Sequence, residues 1–389
     1  MMKYKVCVVT GTRADYGLLR ETIRRLYDNN QIDLDLLVTG AHLSDSFGKT
    51  ENEIVGDGFA TYTRLAIPLG DDSKAGMIHA TADAMHCFVD YFLVHRPDIL
   101  VVLGDRYEIF SAATAAHMLG IPIAHISGGD ITEGAIDNTI RHCVTKMSQL
   151  HFPGCEQSRR RIIQMGEFPE TVFNVGEPGV ENIKKLSLME RSVLAQNLKF
   201  EGMLNDYAVV TFHPTTMEDD TGLEQLNELI GAMDSLKTIS YVITLSNADA
   251  GGKAINNCWL EEGNRRDNWL VVSSLGVIRY LSAMKYAKVV IGNSSSGIVE
   301  APSMGVPTVN IGDRQKGRMI ADSVVCCNPY KSEIEAAVKK VLEPGFWEMC
   351  KNVNSPFGDG STSEMIEECI MKYLKQRNHT IEKGFYDCM

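Results

Sequence analysis

Two stretches of this 389-residue chain carry carboxylates in places where protons could be moved. Gly104-Asp105-Arg106-Tyr107-Glu108 follows the apolar run ILVVL at 99–103. Asp105 should therefore stand at the mouth of a buried strand, where low dielectric raises a carboxyl pKa and adjacent Arg106 can meet a substrate phosphate. An Asp that merely caps the next helix would look the same. The next strand runs into His125-Ile126-Ser127-Gly128-Gly129-Asp130-Ile131-Thr132-Glu133-Gly134-Ala135-Ile136-Asp137-Asn138. Asp130, Glu133 and Asp137 put three carboxylates into eight residues, in a connection longer and more acidic than an ordinary βα loop. Another strand ends in His213-Pro214-Thr215-Thr216, with the proline fixing the exit. A lone histidine is more often a satisfied core group, but its place beside anion-binding loops points to a ligand.

Three further loops suit an anion. Gly11-Thr12-Arg13-Ala14-Asp15-Tyr16-Gly17 lies between the first strand and the first helix. Its glycines let backbone amides approach a phosphate, the helix start adds partial positive charge, and Arg13 can bind bidentately. A plain turn with a surface Arg13–Asp15 ion pair would use the same residues, and the loop matches neither GxGxxG nor a Walker A pattern. Gly292-Asn293-Ser294-Ser295-Ser296-Gly297 opens onto a helix containing Glu300. Hydroxyls such as those of Ser294 and Ser295, the free amides up to Gly297, and a carboxylate one turn later suit a phosphate and a ribose diol. Serines also cap helices, but three between glycines exceed what a cap needs. Gly312-Asp313-Arg314-Gln315-Lys316-Gly317-Arg318 gathers three cations, either solvated or neutralising a diphosphate; its place at the edge that carries the serine loop favours the second. Asn247, in Ser246-Asn247-Ala248-Asp249-Ala250-Gly251, either reads a base or sugar or belongs to an ordinary turn.

The elements that must hold these loops alternate. Short β-branched runs at 5–10, 34–38, 99–103 and 122–126 are separated by segments with apolar residues three and four apart at 17–27, 75–95, 107–119 and 137–150. After a polar stretch the alternation resumes with strands at 206–212, 240–245, 269–272, 288–291 and 307–311 and helices at 223–236 and 275–287. This predicts an α/β chain of two Rossmann-like, doubly wound domains facing a cleft. The expected domains are 1–185 and a nucleotide-binding 186–360. A final segment, 361–389, contains a helix that either completes the second domain or crosses back to the first. Ligands bind such sheets at the carboxyl ends of the strands, where the loops lie.

Composition sets outer limits. The length exceeds what one hydrophobic core usually serves, which favours two domains of about 150 to 200 residues. A net charge of -12 argues against a nucleic-acid partner, because counterion release needs a basic face. The amino terminus has too short an apolar run for a signal peptide or a membrane span, so a cytoplasmic location and no membrane partner are expected. The ten cysteines include no CxxC pair and the ten histidines no HExxH, so free thiols and no metal are expected.

In this order the loops resemble the UDP-N-acetylglucosamine 2-epimerase family, and specifically its hydrolysing branch of the bacterial sialic-acid pathway type. GTRADYG, TGAH, GDRYE, IRHCVTKMS, HPTT, NADAG, GNSSSG and DRQKGR carry the likeness. It implies a glycosyltransferase-B-like fold, a UDP-sugar partner, no cofactor, and a homodimer or homotetramer. It further implies that Arg13, Arg106, Ser294, Ser295 and Arg314 contact a diphosphate, Glu300 the ribose, and Asn247 and His213 the nucleotide sugar, with Asp105 and Asp137 moving protons. The implied reaction takes the C2 proton with loss of UDP to give a 2-acetamidoglucal. Water then adds at C1 as C2 is reprotonated on the opposite face, which yields N-acetylmannosamine. Many relatives read HIE-GGE followed by paired acids. Here Ser127 stands for that Glu, Asp130 for the later one and Asn138 for the second acid, in a loop one residue longer. Serine cannot serve as a carboxylate, so Asp130 and Glu133 are the candidates to replace it. The same chemistry on a 2,4-diacetamido-2,4,6-trideoxy sugar, a glycosyltransferase of this fold, and a nucleotide-sugar-binding module without turnover are the alternatives.

Overall fold

The alternation becomes two parallel sheets in a computed structural model that describes residues 3–45, 50–59, 61–69, 73–132, 136–214, 222–236, 238–246, 252–376 and 381–388. The first contains β1 (Tyr4–Thr10), β2 (Ile32–Thr39), β3 (Thr63–Leu65), β4 (Ile99–Leu103), β5 (Ile123–Ile126) and β6 (Leu150–Phe152), in the order β3-β2-β1-β4-β5-β6. The second contains β7 (Tyr207–Thr211), β8 (Ser240–Thr244), β9 (Trp269–Val272), β10 (Val289–Gly292), β11 (Thr308–Ile311) and β12 (Val324–Cys327), in the order β12-β11-β10-β7-β8-β9. Strand order therefore reverses between β1 and β4 in one sheet and between β10 and β7 in the other. Such reversals open the crevice in which doubly wound sheets hold ligands.

Both sheets are covered on both faces. Along β1, Val6 and Val8 enter one apolar cluster while Cys7 and Val9 enter another. In β7, Ala208 and Val210 face one side and Tyr207 and Val209 the other. Burial on two faces explains why these strands read as continuous apolar runs rather than as alternating ones. The strands missed by the sequence reading, β3, β6 and β12, are edge strands or short ones of three or four residues. The helix expected over 137–150 ends at Met147, and Leu150 starts β6 instead.

The chain divides into two compact units, the first made of Met1–Asp130, Asp137–Asn182 and Gly358–Met389, the second of Ile131–Ile136 and Ile183–Phe357. Within the first, the terminal helix Thr362–Leu374 buries Ile366, Ile370 and Leu374 in the cluster that holds Leu19, Ile23 and Leu26 of the helix Arg13–Asp28. Full burial of such side chains stabilises by roughly 1.5–3 kcal/mol each. Its start is tied by Thr362 Oγ1 donating to the Val175 carbonyl at 2.9 Å and Ser363 N donating to buried Glu181 at 2.8 Å. Among the described residues, no helix is long and apolar enough to cross a membrane.

Candidate active site

Around the switch point of the first sheet, the loops after β1 and β4 are GTRADYG and GDRYE. Asp15 organises the first. It accepts from the amides of Gly11 (2.9 Å), Thr12 (2.7 Å) and Tyr16 (3.0 Å) and from the Thr12 hydroxyl (2.6 Å), while Thr12 caps the helix. The surface Arg13–Asp15 pair considered from sequence does not form: Asp15 is buried and committed to its own loop. Arg13 stays half-buried, close enough to His42 to oppose protonation of that ring. His42, from the TGAH motif, meets Thr10 Oγ1 at 3.0 Å and Thr50 Oγ1 at 2.8 Å, and burial is the main force lowering its pKa. Arg106 donates from Nε (3.2 Å) and Nη2 (3.3 Å) to the buried Glu108, which fixes the guanidinium at the strand exit.

Asp105, at the exit of β4, forms an ion pair with the buried Arg141. Arg141 also donates to the Asp130 carbonyl at 2.9 Å. It belongs to the helix Ile136–Met147, whose exposed first turn carries Asp137. Asp137 and Arg141 are four residues apart, the spacing that puts side chains on one helix face. The helix thereby links the two sequence candidates Asp105 and Asp137. Asp130 accepts from Ser158 Oγ at 2.6 Å, and Arg161 donates to the Gly129 carbonyl at 2.6 Å, so the GGD turn is fastened from several sides. Glu133 lies outside the described residues. His125 underpins the edge: its ring lies 2.8 Å from the Gly104 carbonyl through Nε2 and 3.1 Å from Thr145 Oγ1 through Nδ1. A carbonyl only accepts, so Nε2 carries the proton, and burial pulls the pKa down to about 3.

At the switch point of the second sheet the loops after β7 and β10 are HPTT and GNSSSG. Asn293 clasps His213 by its backbone, accepting from His213 N at 2.7 Å and donating to its carbonyl at 2.8 Å. Gly292 has φ 136°, and a Cβ there would fall 1.9 Å from the Thr211 carbonyl oxygen, so only glycine permits this approach of β10 to β7. Arg314 and Gln315 both donate to the Asn293 carbonyl, at 3.1 and 2.8 Å, which brings the loop after β11 to the same edge. The His213 ring is buried; burial first and Arg314 second lower its pKa to about 3, and its Nδ1 meets no hydrogen-bond partner among the described residues. A neutral imidazole with an unused ring nitrogen is equipped to bind a ligand.

Ser295–Gly297 form a single 3-10 turn capped by Ser294, and the helix expected after them, Glu300–Ser303, has four residues. The cradle is thus a hydroxyl-rich turn without the long helix that would add a dipole. Gly297 serves packing: a Cβ would lie 2.9 Å from Thr308 Cγ2. Ser296 is held from below by Tyr280 OH at 2.6 Å and contacts Ser294 Oγ at 3.1 Å. Burial raises the Glu300 carboxyl to about 7, with its own amide and Arg318 opposing. Arg318 also donates to the Ile131 carbonyl at 3.3 Å, within the second unit. Asn247 lies outside the described residues. Arg141, Asn293, Tyr280 and Gln315 are the residues that sequence reasoning passed over, although the four-residue spacing from Asp137 was a usable signal for Arg141. Among the described residues, no group of three or more His, Cys, Asp and Glu side chains could hold a metal ion.

A family model described as UDP-N-acetylglucosamine 2-epimerase matches residues 24–371. The chain belongs to that family. As an epimerase-family member it is an enzyme acting on a nucleotide sugar. Polysialic acid biosynthesis protein P7 of Escherichia coli is 36% identical over 98% of this chain and 97% of its own length. The GDP/UDP-N,N'-diacetylbacillosamine 2-epimerase (hydrolyzing) of Campylobacter jejuni is 37% identical over 84% of each chain. Among solved structures, the UDP-GlcNAc 2-epimerase of Methanocaldococcus jannaschii in complex with UDP-GlcNAc and UDP shares the fold, with a TM-score of 0.79 at 19% identity, covering 95% of this chain and 99% of that one.

Proposed function

We propose that this family member is a hydrolysing 2-epimerase that converts UDP-N-acetylglucosamine and water into N-acetylmannosamine and UDP. The observation that carries the reading is the helix Ile136–Met147, with Asp137 in its first turn and Arg141, one turn on, closed on Asp105. Inversion at C2 requires one group to remove a proton and another to return one from the opposite face, and a pair of carboxylates tied to one helix suits that task. The proton at C2 is weakly acidic. Departure of UDP must therefore be assisted by cations and hydroxyls that meet the developing charge on the diphosphate, and we assign this to Arg13, Arg106, Ser294, Ser295 and Arg314. Glu300 is assigned to the ribose, and His213 to the nucleotide sugar; its buried Nδ1 has no hydrogen-bond partner among the described residues.

A second substrate is favoured by the Campylobacter relative, whose name specifies N,N'-diacetylbacillosamine, a 2,4-diacetamido-2,4,6-trideoxy sugar. The reacting atoms C1 and C2 are the same in both sugars, and only the C4 and C6 substituents differ. The test is proton NMR of the reaction in deuterated water with each UDP-sugar in turn. Release of UDP with deuterium at C2 of a manno-configured sugar is expected from one of them. UDP release that depends on an added sugar acceptor, or tight UDP binding without any product, rejects the reading.

A further inference from the structure

Ser127 has φ 57° and is, with Lys199, one of two described non-glycine residues in the left-handed region. A side chain in that conformation costs roughly 1–2 kcal/mol, so something must hold it there. Its amide donates to the Phe152 carbonyl at 2.9 Å, and its hydroxyl donates to Glu177 Oε2 at 3.2 Å. Glu177 is 8% exposed and precedes the helix Pro178–Lys185. Gly154 presses so closely on it that a Cβ there would lie 1.8 Å from Oε1. The carboxylate therefore occupies a fitted space rather than a loose surface position.

This arrangement stands at the working edge of the first sheet. Ser127 follows β5, Gly154 follows β6, and Asp105 follows β4. Gly104 N donates to the Ile126 carbonyl at 3.1 Å, so Asp105 and Ser127 are each the next residue after a hydrogen-bonded pair. Asp130 and Glu177 both act electrostatically on the thiol of Cys155, which places the two carboxylates around one buried side chain.

We propose that Glu177 and the Ser127 hydroxyl form the relay that activates the hydrolytic water, with Glu177 as the positioning residue. The proposal rests on the hydrolysing-epimerase reading. In the hydration step a water oxygen forms the bond to C1 of the 2-acetamidoglucal, and the C1=C2 electron pair takes a proton at C2 from one of the aspartic acids. The water proton passes to Ser127 Oγ as the Ser127 proton passes to Glu177 Oε2, and Glu177 then returns its proton to solvent. Serine has no carboxylate of its own, and here one is supplied by Glu177, from the segment that follows β6.

The test compares wild type, Glu177→Gln and Ser127→Gly with UDP-N-acetylglucosamine and with UDP-N,N'-diacetylbacillosamine, following UDP, the vinyl proton of the glucal and the hydrated sugar by NMR. Elimination needs no water, so both variants should still release UDP, with the ratio of glucal to hydrated sugar raised about tenfold or more. A merely structural role predicts slower turnover at an unchanged ratio, and that result overturns the relay, as does full activity of Glu177→Gln. Should Glu177→Gln fail to fold, Ser127→Gly carries the test, because glycine suits the left-handed turn; no rise in glucal there overturns the proposal. A wild-type protein that releases no UDP from either sugar overturns the epimerase reading itself, whereas folded variants that release no UDP beside an active parent overturn the relay alone.

Discussion

Arg141 and Asp105 form an ion pair whose side chains are 8% and 17% exposed, and the same guanidinium reaches the Asp130 carbonyl. One cation thus sets the positions of a catalytic candidate and of the acidic loop beside it. Arg141→Gln should lower kcat by about 10²-fold, within the range expected for general acid–base groups, while UDP affinity changes little. Arg141→Lys keeps the charge but loses the fork that spans two acceptors, so an intermediate loss is expected. Steady-state kinetics alongside UDP titration calorimetry checks both. A large fall in UDP affinity with kcat preserved would move Arg141 from the chemistry to nucleotide binding.

Asn293 joins β10 to β7 by bonding both backbone groups of His213. Asn293→Ala strands a buried N–H and a buried carbonyl, each costing about 1–3 kcal/mol. The variant should unfold at lower urea concentration and bind UDP more weakly, since the Asn293 side chain fixes the His213 backbone, whereas the bond from Arg314 goes to the Asn293 main-chain carbonyl, which alanine keeps. Unchanged UDP affinity in a destabilised variant would confine the residue to a scaffold role.

Much of this organisation could be read in the chain before any coordinates. Runs such as YKVCVVT in β1 and ILVVL in β4 announce strands buried on both faces, and the loops after them announce the site. The three-residue edge strands β3 and β6 left no such trace, because so short a strand gives too few residues for a period to emerge, and the four-residue edge strand β12 was missed as well. The helix expected around Glu300 stops after four residues, where Gly305 turns left-handed at φ 69°. Loop candidates such as Asp105, Arg314 and His213 were legible from residue type and strand-end placement. Their holders were not: Asn293 reads as one more member of a polar run, and Glu177 lies 50 residues from Ser127.

Glu300 has its carboxyl raised to about 7, chiefly by burial. If ribose hydroxyls donate to this group, they favour its charged form, so the pKa falls in the complex and a proton is released on binding. UDP affinity should then rise as pH increases through about 7 and level off above it. Glu300→Gln should flatten that profile, because the amide does not titrate. Calorimetry in buffers of different ionisation heat reads the released proton directly, and equal apparent enthalpies across buffers near pH 7 would exclude the coupling.

Glu167 anchors the carboxy-terminal segment to the first unit. It accepts from Lys146 Nζ at 2.5 Å and Lys383 Nζ at 2.7 Å, and lies 3.0 Å from His151 Nε2. Burial pushes its pKa up, but these partners outweigh that and bring it to about 2, below the value of about 4.3 in an unfolded chain. The folded state therefore binds fewer protons than the unfolded one between those values. The stabilisation is fully present above about pH 4.3 and is lost as pH falls towards 2. Lys383→Met removes one of the donors, each charged hydrogen bond being worth about 1.5–3 kcal/mol. The folded pKa of Glu167 then rises towards the unfolded value, and the acid-unfolding midpoint should move to higher pH. Circular dichroism followed from pH 7 to 2 tests this, and superimposable acid transitions for the two proteins would show that the terminal segment contributes nothing through Glu167.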